Sequence, residues 1–355
     1  MTARAATTAL KWGLGLIVGA LFVWLAAQEW PLHRLFADGV SLDGRHLRSG
    51  TTWSFDLAYL APYFAILIAI HFLRVIRWHP LLKPLGDVDL RTLNRISGVG
   101  FMYLFVLPLR LGELARPWLL QRATGIPMTA SLATIVVERV VDGLIVSLLL
   151  FGVLFFLPSH DAAAFSQIRI GAYAALGLFT VALAVLAAMA LKPQATTRLL
   201  SAIGTPISKR LTNAALGLLK TFFDGLAALP NRRYFLDFLG WSLLYWALNG
   251  YGYYVLALGF KGLHVPLLAA YAMMCCVVVG MMLPNPPANV GIYWYFLLQP
   301  LTLYGVSTGD PTATLFGLVA WAGQLIQQGL FGLVLAAREG RAGAPSFTDA
   351  ATTSE

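Results

Sequence analysis

The sequence predicts an all-α integral membrane protein, and three observations carry that prediction. Hydrophobic residues make up 58% of the chain and charged residues 12%, whereas soluble domains have a near-even apolar share and roughly 25% charge. Mean hydropathy is +0.72 over 355 residues, and no polar interval is long enough for an ordinary catalytic domain of roughly 100 residues. Two charge clusters, Arg110, Glu113, Arg116 and then Glu138, Arg139, Asp142, nevertheless stand inside or beside apolar runs. A charge facing lipid is costly, so these groups are expected to face one another, water or a ligand.

The same numbers exclude other classes. The net charge of +9 does not point to nucleic acid, because the basic residues lie mainly in loops, where they set orientation against an anionic membrane face. Cys275 and Cys276 are adjacent in an apolar run and read as small buried residues. There is no Walker or dinucleotide glycine pattern, no metal-spaced set of Cys or His, and no nucleophile-base arrangement. No catalytic residue, cofactor or metal is therefore expected.

In chain order, the run from Trp12 to Ala27 reads as a retained first span, because no small-x-small cleavage site follows it. Gln28 to Asp56 is polar, with a turn at Asp43-Gly44, and reads as an exterior loop. Leu57 to Leu73 spans and ends in His71, Arg74 and Arg77, read as snorkelling at a helix end in preference to contacting a headgroup, with Trp78 as an interfacial aromatic. The apolar run from Ile96 to Leu109 is about half the roughly 20 residues a spanning helix needs, and Pro108 breaks it. A hairpin that enters and returns on the cytoplasmic side fits better.

Pro127 to Leu157 is a long span carrying the second charge cluster, and Ile168 to Leu191 returns inward. From Lys192 to Arg233 there are seven basic residues and one acid, Asp224, which places this interval in the cytoplasm. Within it, about 195–228, apolar residues recur every fourth position from Leu199 to Phe223, the pattern of an amphipathic helix lying on the inner leaflet or packed on other helices. Phe235 to Leu258 spans outward, with Asn249-Gly250 as a weak point. Pro266 to Leu283 ends at Pro284-Asn285-Pro286-Pro287-Ala288-Asn289-Val290-Gly291, where three prolines in four positions stop any helix. A shorter run, Ile292 to Tyr304, makes a second hairpin entered from outside, and Thr312 to Ala337 is the last span.

The prediction is a single polytopic domain over 1–341, with about seven transmembrane helices, two re-entrant helical hairpins and a flexible tail, 342–355. Both termini are expected in the cytoplasm. Paired interruptions point to a transporter with an inverted repeat and a site near the midplane, although the two halves share no persuasive sequence identity. The unpaired N–H groups of short helices at such breaks favour anions.

The strings PLRLGELARPWLL and ATIVVERVVDGL, with a Pro-rich break followed by Gly, resemble the lysylphosphatidylglycerol synthase transmembrane family of flippase-like proteins. The resemblance implies an inner-membrane protein that moves or binds a lipid with a phosphate-containing headgroup, either an aminoacylated phospholipid or a polyprenyl-phosphate-linked lipid. It implies the transmembrane portion only, without the soluble aminoacyltransferase domain of bifunctional members. Arg110, Glu113 and Arg116 match the first motif, and Glu138, Arg139 and Asp142 match the second. At the third, the family commonly has Pro-Gly-Gly with a following acid, whereas this chain has Pro287-Ala288-Asn289 and then Tyr293-Trp294.

The substrate-binding set expected from these readings is Arg110, Glu113, Arg116, Glu138, Arg139, Asp142, Asn285 and Asn289. An arginine would hold a phosphate by two parallel hydrogen bonds, while the acids position the arginines or contact a cationic headgroup. The bland alternative is a set of buried ion pairs that only fix the hairpin to the long helix. Gln324, Gln327 and Gln328 share a face of the last span and serve either as polar lining or as interhelical packing. The expected partner is an anionic or zwitterionic membrane lipid, with a second copy of the chain or a lipid-synthesis protein left open. A membrane-embedded transferase using Glu138 or Asp142 as base, or an accessory scaffold in polyprenyl-phosphate-sugar or lipid modification, is the alternative function.

Overall fold

The computed structural model describes residues 24, 35–36, 38–50, 52–107, 112–156, 162–205, 208–229, 231–282 and 286–341. All of the expected first span but Trp24, the loop at 158–161, the tail, and the site candidates Arg110 and Asn285 lie outside the described residues.

A small antiparallel sheet opens the described chain. Strands β1 (Ser41–Asp43) and β2 (His46–Ser49) form a hairpin around Asp43-Gly44, and β3 (Trp53–Asp56) pairs with β2. The sheet corrects the expectation of a plain loop. Its strands are three or four residues long, too short to show a period-two pattern. It seals one end of the helical bundle: Phe55 stacks on Phe260 with ring centroids 4.4 Å apart, and Asp56 N–H donates to Gly259 O at 2.9 Å.

The eleven α-helices among the described residues begin with α1 (Leu60–Leu82), α2 (Leu90–Val106) and α3 (Ala115–Thr124). They continue with α4 (Met128–Leu154), α5 (Ala162–Leu191), α6 (Pro193–Gly204), α7 (Lys209–Gly225) and α8 (Arg232–Ala257). The last are α9 (Leu267–Gly280), α10 (Ile292–Leu298) and α11 (Pro311–Arg341). Three stretches, Leu57–Leu82, Ile168–Leu191 and Pro311–Ala337, are long and apolar enough to cross a membrane. α4 and α8, of 27 and 26 residues, match them in length but carry charge. The described residues thus hold five helices of spanning length.

The two interrupted segments are the expected hairpins in form. At about 1.5 Å per residue, the 17 residues of α2 and 10 of α3 reach roughly 25 and 15 Å, short of a hydrocarbon core of roughly 30 Å. Asp89 caps α2 by accepting from Thr92 N–H at 2.9 Å, and a 3-10 turn at 112–114 precedes α3. The second hairpin pairs the 14 residues of α9 with α10 and a 3-10 turn through Tyr304. One glycine in each lets the arms close. A Cβ on Gly100 would lie 2.4 Å from Arg116 Cγ, and one on Gly280 would lie 2.1 Å from the Phe296 ring. The 3-10 turn Pro287–Asn289 of the second hairpin packs against α2 of the first, so the two hairpins are in contact.

Three further expectations change. The amphipathic interval forms two helices, and α7 lies against the start of α4, with Gly225 beside Ala130 O. Protein packing thus covers the inner part of that face. α8 runs unbroken through Asn249-Gly250, because Asn249 Nδ2 donates to Tyr245 O at 2.7 Å and keeps its polarity inside the helix. Trp78 is fully buried rather than interfacial, donating from Nε1 to Thr134 Oγ1 at 2.9 Å.

The core has two parts. One gathers Tyr63, Leu73, Val146, Tyr245, Tyr253 and Phe316, and the other Val75, Trp78, Leu93, Val137, Val141 and Phe238. The boundary falls between Leu73 and Val75 on α1, between Val141 and Val146 on α4, and between Phe238 and Tyr245 on α8. A polar layer occupies that boundary.

Candidate functional site

Arg77 organises the layer. Its side chain comes from α1, where apolar neighbours carry it into the bundle, and it is 0% exposed. Nη1 donates to Asp142 Oδ1 and Nη2 to Asp142 Oδ2, each at 2.6 Å, a bidentate pair. Nη2 also donates to Glu138 Oε1 at 2.8 Å. Glu138 and Asp142 are four residues apart on α4 and therefore share the face that meets Arg77. The α8 residues Ser242 and Trp246 share a face for the same reason. Trp246 Nε1 donates to Asp142 Oδ1 at 2.9 Å, and Ser242 Oγ lies 3.4 Å from Arg77 Nη1.

Two more arginines close on the same carboxylates. Arg116 Nη1 donates to Glu138 Oε2 at 3.2 Å, while its guanidinium lies 4.1 Å from the Trp78 ring centroid. Arg139 pairs with Glu138 and stands 3.5 Å from Asp142 Oδ2. Three helices and the first hairpin are thus tied through two carboxylates. With Glu138 0% and Asp142 3% exposed, removing a cation would strand buried charge, and such losses cost about 3–5 kcal/mol.

Beside this network lies a cavity of about 390 Å³, within the roughly 300–1,000 Å³ of small-ligand sites. His71, Arg74, Glu113, Arg139, Asp142, Asn249, Gln324, Gln327 and Gln328 line its polar side, and Leu67, Ile70, Phe179, Met274, Val277 and Met281 its apolar side. Both hairpins line it, through Leu104, Phe105 and Glu113 on the first and Met281 and Met282 just past α9 on the second. Leu178 of α5 also lines it and is 64% exposed, so the cavity reaches the outer apolar surface of the bundle.

Arg74 stands out among the cavity cations. Its guanidinium lies 3.4 Å from the Phe101 ring centroid and donates to Gln328 Oε1 at 3.4 Å, with no carboxylate within 4.0 Å among the described residues. Next to it, Tyr253 and Tyr293 hydroxyls are 2.8 Å apart and both accept from Gln324 Nε2 at 3.1 Å. His71 is buried, with Nε2 2.9 Å from Asn94 Oδ1.

Of the residues expected to bind substrate, Glu113, Arg139 and Asp142 line the cavity. Glu138 sits behind them as the common acceptor, and Arg116 lines a small side niche. Asn289 does not line the cavity: it is buried in the 3-10 turn against α2, at φ +55°. The snorkelling expected of His71, Arg74 and Arg77 is corrected, because all three turn inward, to the network or to the cavity. Their spacing of three within an apolar span was the available signal. The roles of Trp246, Tyr253 and Tyr293 had no sequence signal beyond aromatic content, whereas Gln324 was marked by its spacing with Gln327 and Gln328. The three glutamines contribute lining.

A model of the family described as the lysylphosphatidylglycerol synthase TM region matches residues 12–326. No curated protein and no solved structure matches the chain.

Proposed function

The chain belongs to the lysylphosphatidylglycerol synthase transmembrane-region family, and from that premise we propose that it binds a lipid with a phosphate-containing headgroup in the cavity and moves it across the inner membrane. The observation that carries this reading is the cavity itself: arginines Arg74 and Arg139 at one side, an apolar wall at the other, and an outlet at Leu178. A headgroup phosphate takes the arginines, which offer planar paired donors. The hydrocarbon chains leave past Leu178 towards lipid. Membrane-depth breaks are tolerated where they line such a cavity, and the contact between the two hairpins supports a motion that opens it to either face in turn. The family context supports a lipid role, and no residue is assigned a catalytic one.

The orientation belongs to the same proposal. The end carrying Lys83, Arg91, Arg122, Lys192 and Lys209 is cytoplasmic, and the β-sheet end faces outward.

Headgroup accessibility in proteoliposomes tests the reading with labelled anionic, aminoacylated and polyprenyl-phosphate lipids. The wild type accelerates transfer of at least one lipid class, and Arg139→Gln slows it while Arg77 still holds both carboxylates. Transfer no faster than in empty liposomes for every class would overturn the reading and favour a transferase or scaffold.

A further inference from the structure

Resting on the lipid reading, we infer that the headgroup taken by this cavity carries one net negative charge, as a phosphodiester without an ammonium group does. The first support is a charge balance. Among the described residues of the network, cavity and niche, the cations are Arg74, Arg77, Arg116 and Arg139, and the acids are Glu113, Glu138 and Asp142. Cations exceed acids by one. An uncompensated charge away from water is costly, so the site is best satisfied by a single anion.

The second support is where the unfilled donors lie. Arg77 gives both terminal nitrogens to Glu138 and Asp142 and, like Arg139, is left with only Nε lacking an acceptor. Arg116 is 4% exposed, yet its Nη2 and Nε have no acceptor. Arg116 lines a niche of about 10 Å³ together with Arg74, Arg139, Glu113 and Leu104, and the last four also line the main cavity. That volume is about what one water-sized group requires. One non-bridging phosphate oxygen fits the niche, and the other stays in the cavity with Arg74 and Arg139. Gln327 Nε2, buried on the cavity wall without an acceptor, supplies a further neutral donor.

The third support is the state of the acids. An ammonium on the headgroup would need a carboxylate with capacity to spare. Glu138 accepts from three arginines, Asp142 from Arg77 and Trp246, and Glu113 has its own partner. A zwitterionic headgroup would leave the excess cation unmatched, and a cationic one would add to it.

Purified protein in detergent is titrated with phosphatidylglycerol, phosphatidylethanolamine and lysylphosphatidylglycerol of identical acyl chains, and binding is read by native mass spectrometry. Phosphatidylglycerol is expected to bind tighter than either other lipid by roughly tenfold or more, the factor carried by about 1.4 kcal/mol. Arg74→Gln, which orphans no carboxylate, brings the cavity to neutrality and abolishes the preference. Glu113→Gln raises the net charge and increases it, so a folding defect in one variant does not mimic the pair of opposite effects. Equal or tighter binding of the zwitterionic or cationic lipid overturns the charge inference and leaves the lipid reading standing. Binding of none of the three overturns the lipid reading itself. Displacement of bound phosphatidylglycerol by equimolar inorganic phosphate makes this a free-phosphate site and overturns the proposal.

Discussion

Arg77 ties α1 to α4 through two buried carboxylates at once, Asp142 by two hydrogen bonds and Glu138 by one. Arg77→Leu is expected to cost about 3–5 kcal/mol, since buried Asp142 loses its bidentate partner and buried Glu138 one of its three arginines. Thermal unfolding in detergent measures this. Adding Asp142→Asn to Arg77→Leu is expected to recover much of the loss, because a buried amide costs far less than a carboxylate without its bidentate partner, while Glu138 keeps Arg116 and Arg139. If the double variant is no more stable than the single, the loss comes from packing. A second residue-scale effect lies at the Pro-rich break. Ala288 has φ +56° and Asn289 φ +55°, a region that Asn tolerates and Ala does not. The carbonyl of Ala288 is held there by Trp321 Nε1 at 2.8 Å. Ala288→Gly is therefore expected to stabilise the protein by about 1 kcal/mol, the penalty of a left-handed Ala. A lowered melting temperature in that variant would sink the account.

At the scale of elements, the hairpins work through close contact of their arms. Gly280→Ala puts a methyl against the Phe296 ring and is expected to cost about 1–3 kcal/mol by overpacking. Combining it with Phe296→Leu, which removes the ring from that contact, is expected to restore most of the loss, a coupling that a double-mutant cycle reads directly. Independent, additive effects would show that the arms do not meet there. The hairpins were legible in the sequence because their causes are local: an apolar run too short to span, Pro108, and the prolines from Pro284 to Pro287. The β-sheet was not, because its strands are short and its fixing contact, Phe55 on Phe260, joins residues far apart in the chain. The acids Glu138 and Asp142 were legible as charges in an apolar helix. Arg77 was read as a helix-end cation, since its meaning depends on α4 and α8 facing it, which no single helix records. Asn289 was placed in the cavity because a polar residue at a break suggests lining, whereas the backbone there turns it against α2.

At the scale of the molecule, function depends on which end faces which compartment. The proposed arrangement has the two hairpins entering from opposite faces, so one labelling experiment on each end tests it. Cys275 and Cys276 are buried, so they leave the surface free of thiols among the described residues. A reporter cysteine can then be placed at Leu42 in the sheet or at Asp87 between α1 and α2, both exposed. The basic loops following α1 and α5 favour the cytoplasmic side, because positive charge resists translocation, while the sheet end carries acids Asp38, Asp43 and Asp56 among its bases. On intact cells an impermeant maleimide is expected to label Leu42→Cys and to spare Asp87→Cys until the inner membrane is permeabilised. The opposite pattern would invert the orientation but keep the hairpins facing each other. Labelling of both sites on intact cells would place the two ends on one side, which no bundle of these helices allows, and would overturn the arrangement in which the cavity is shared by both faces.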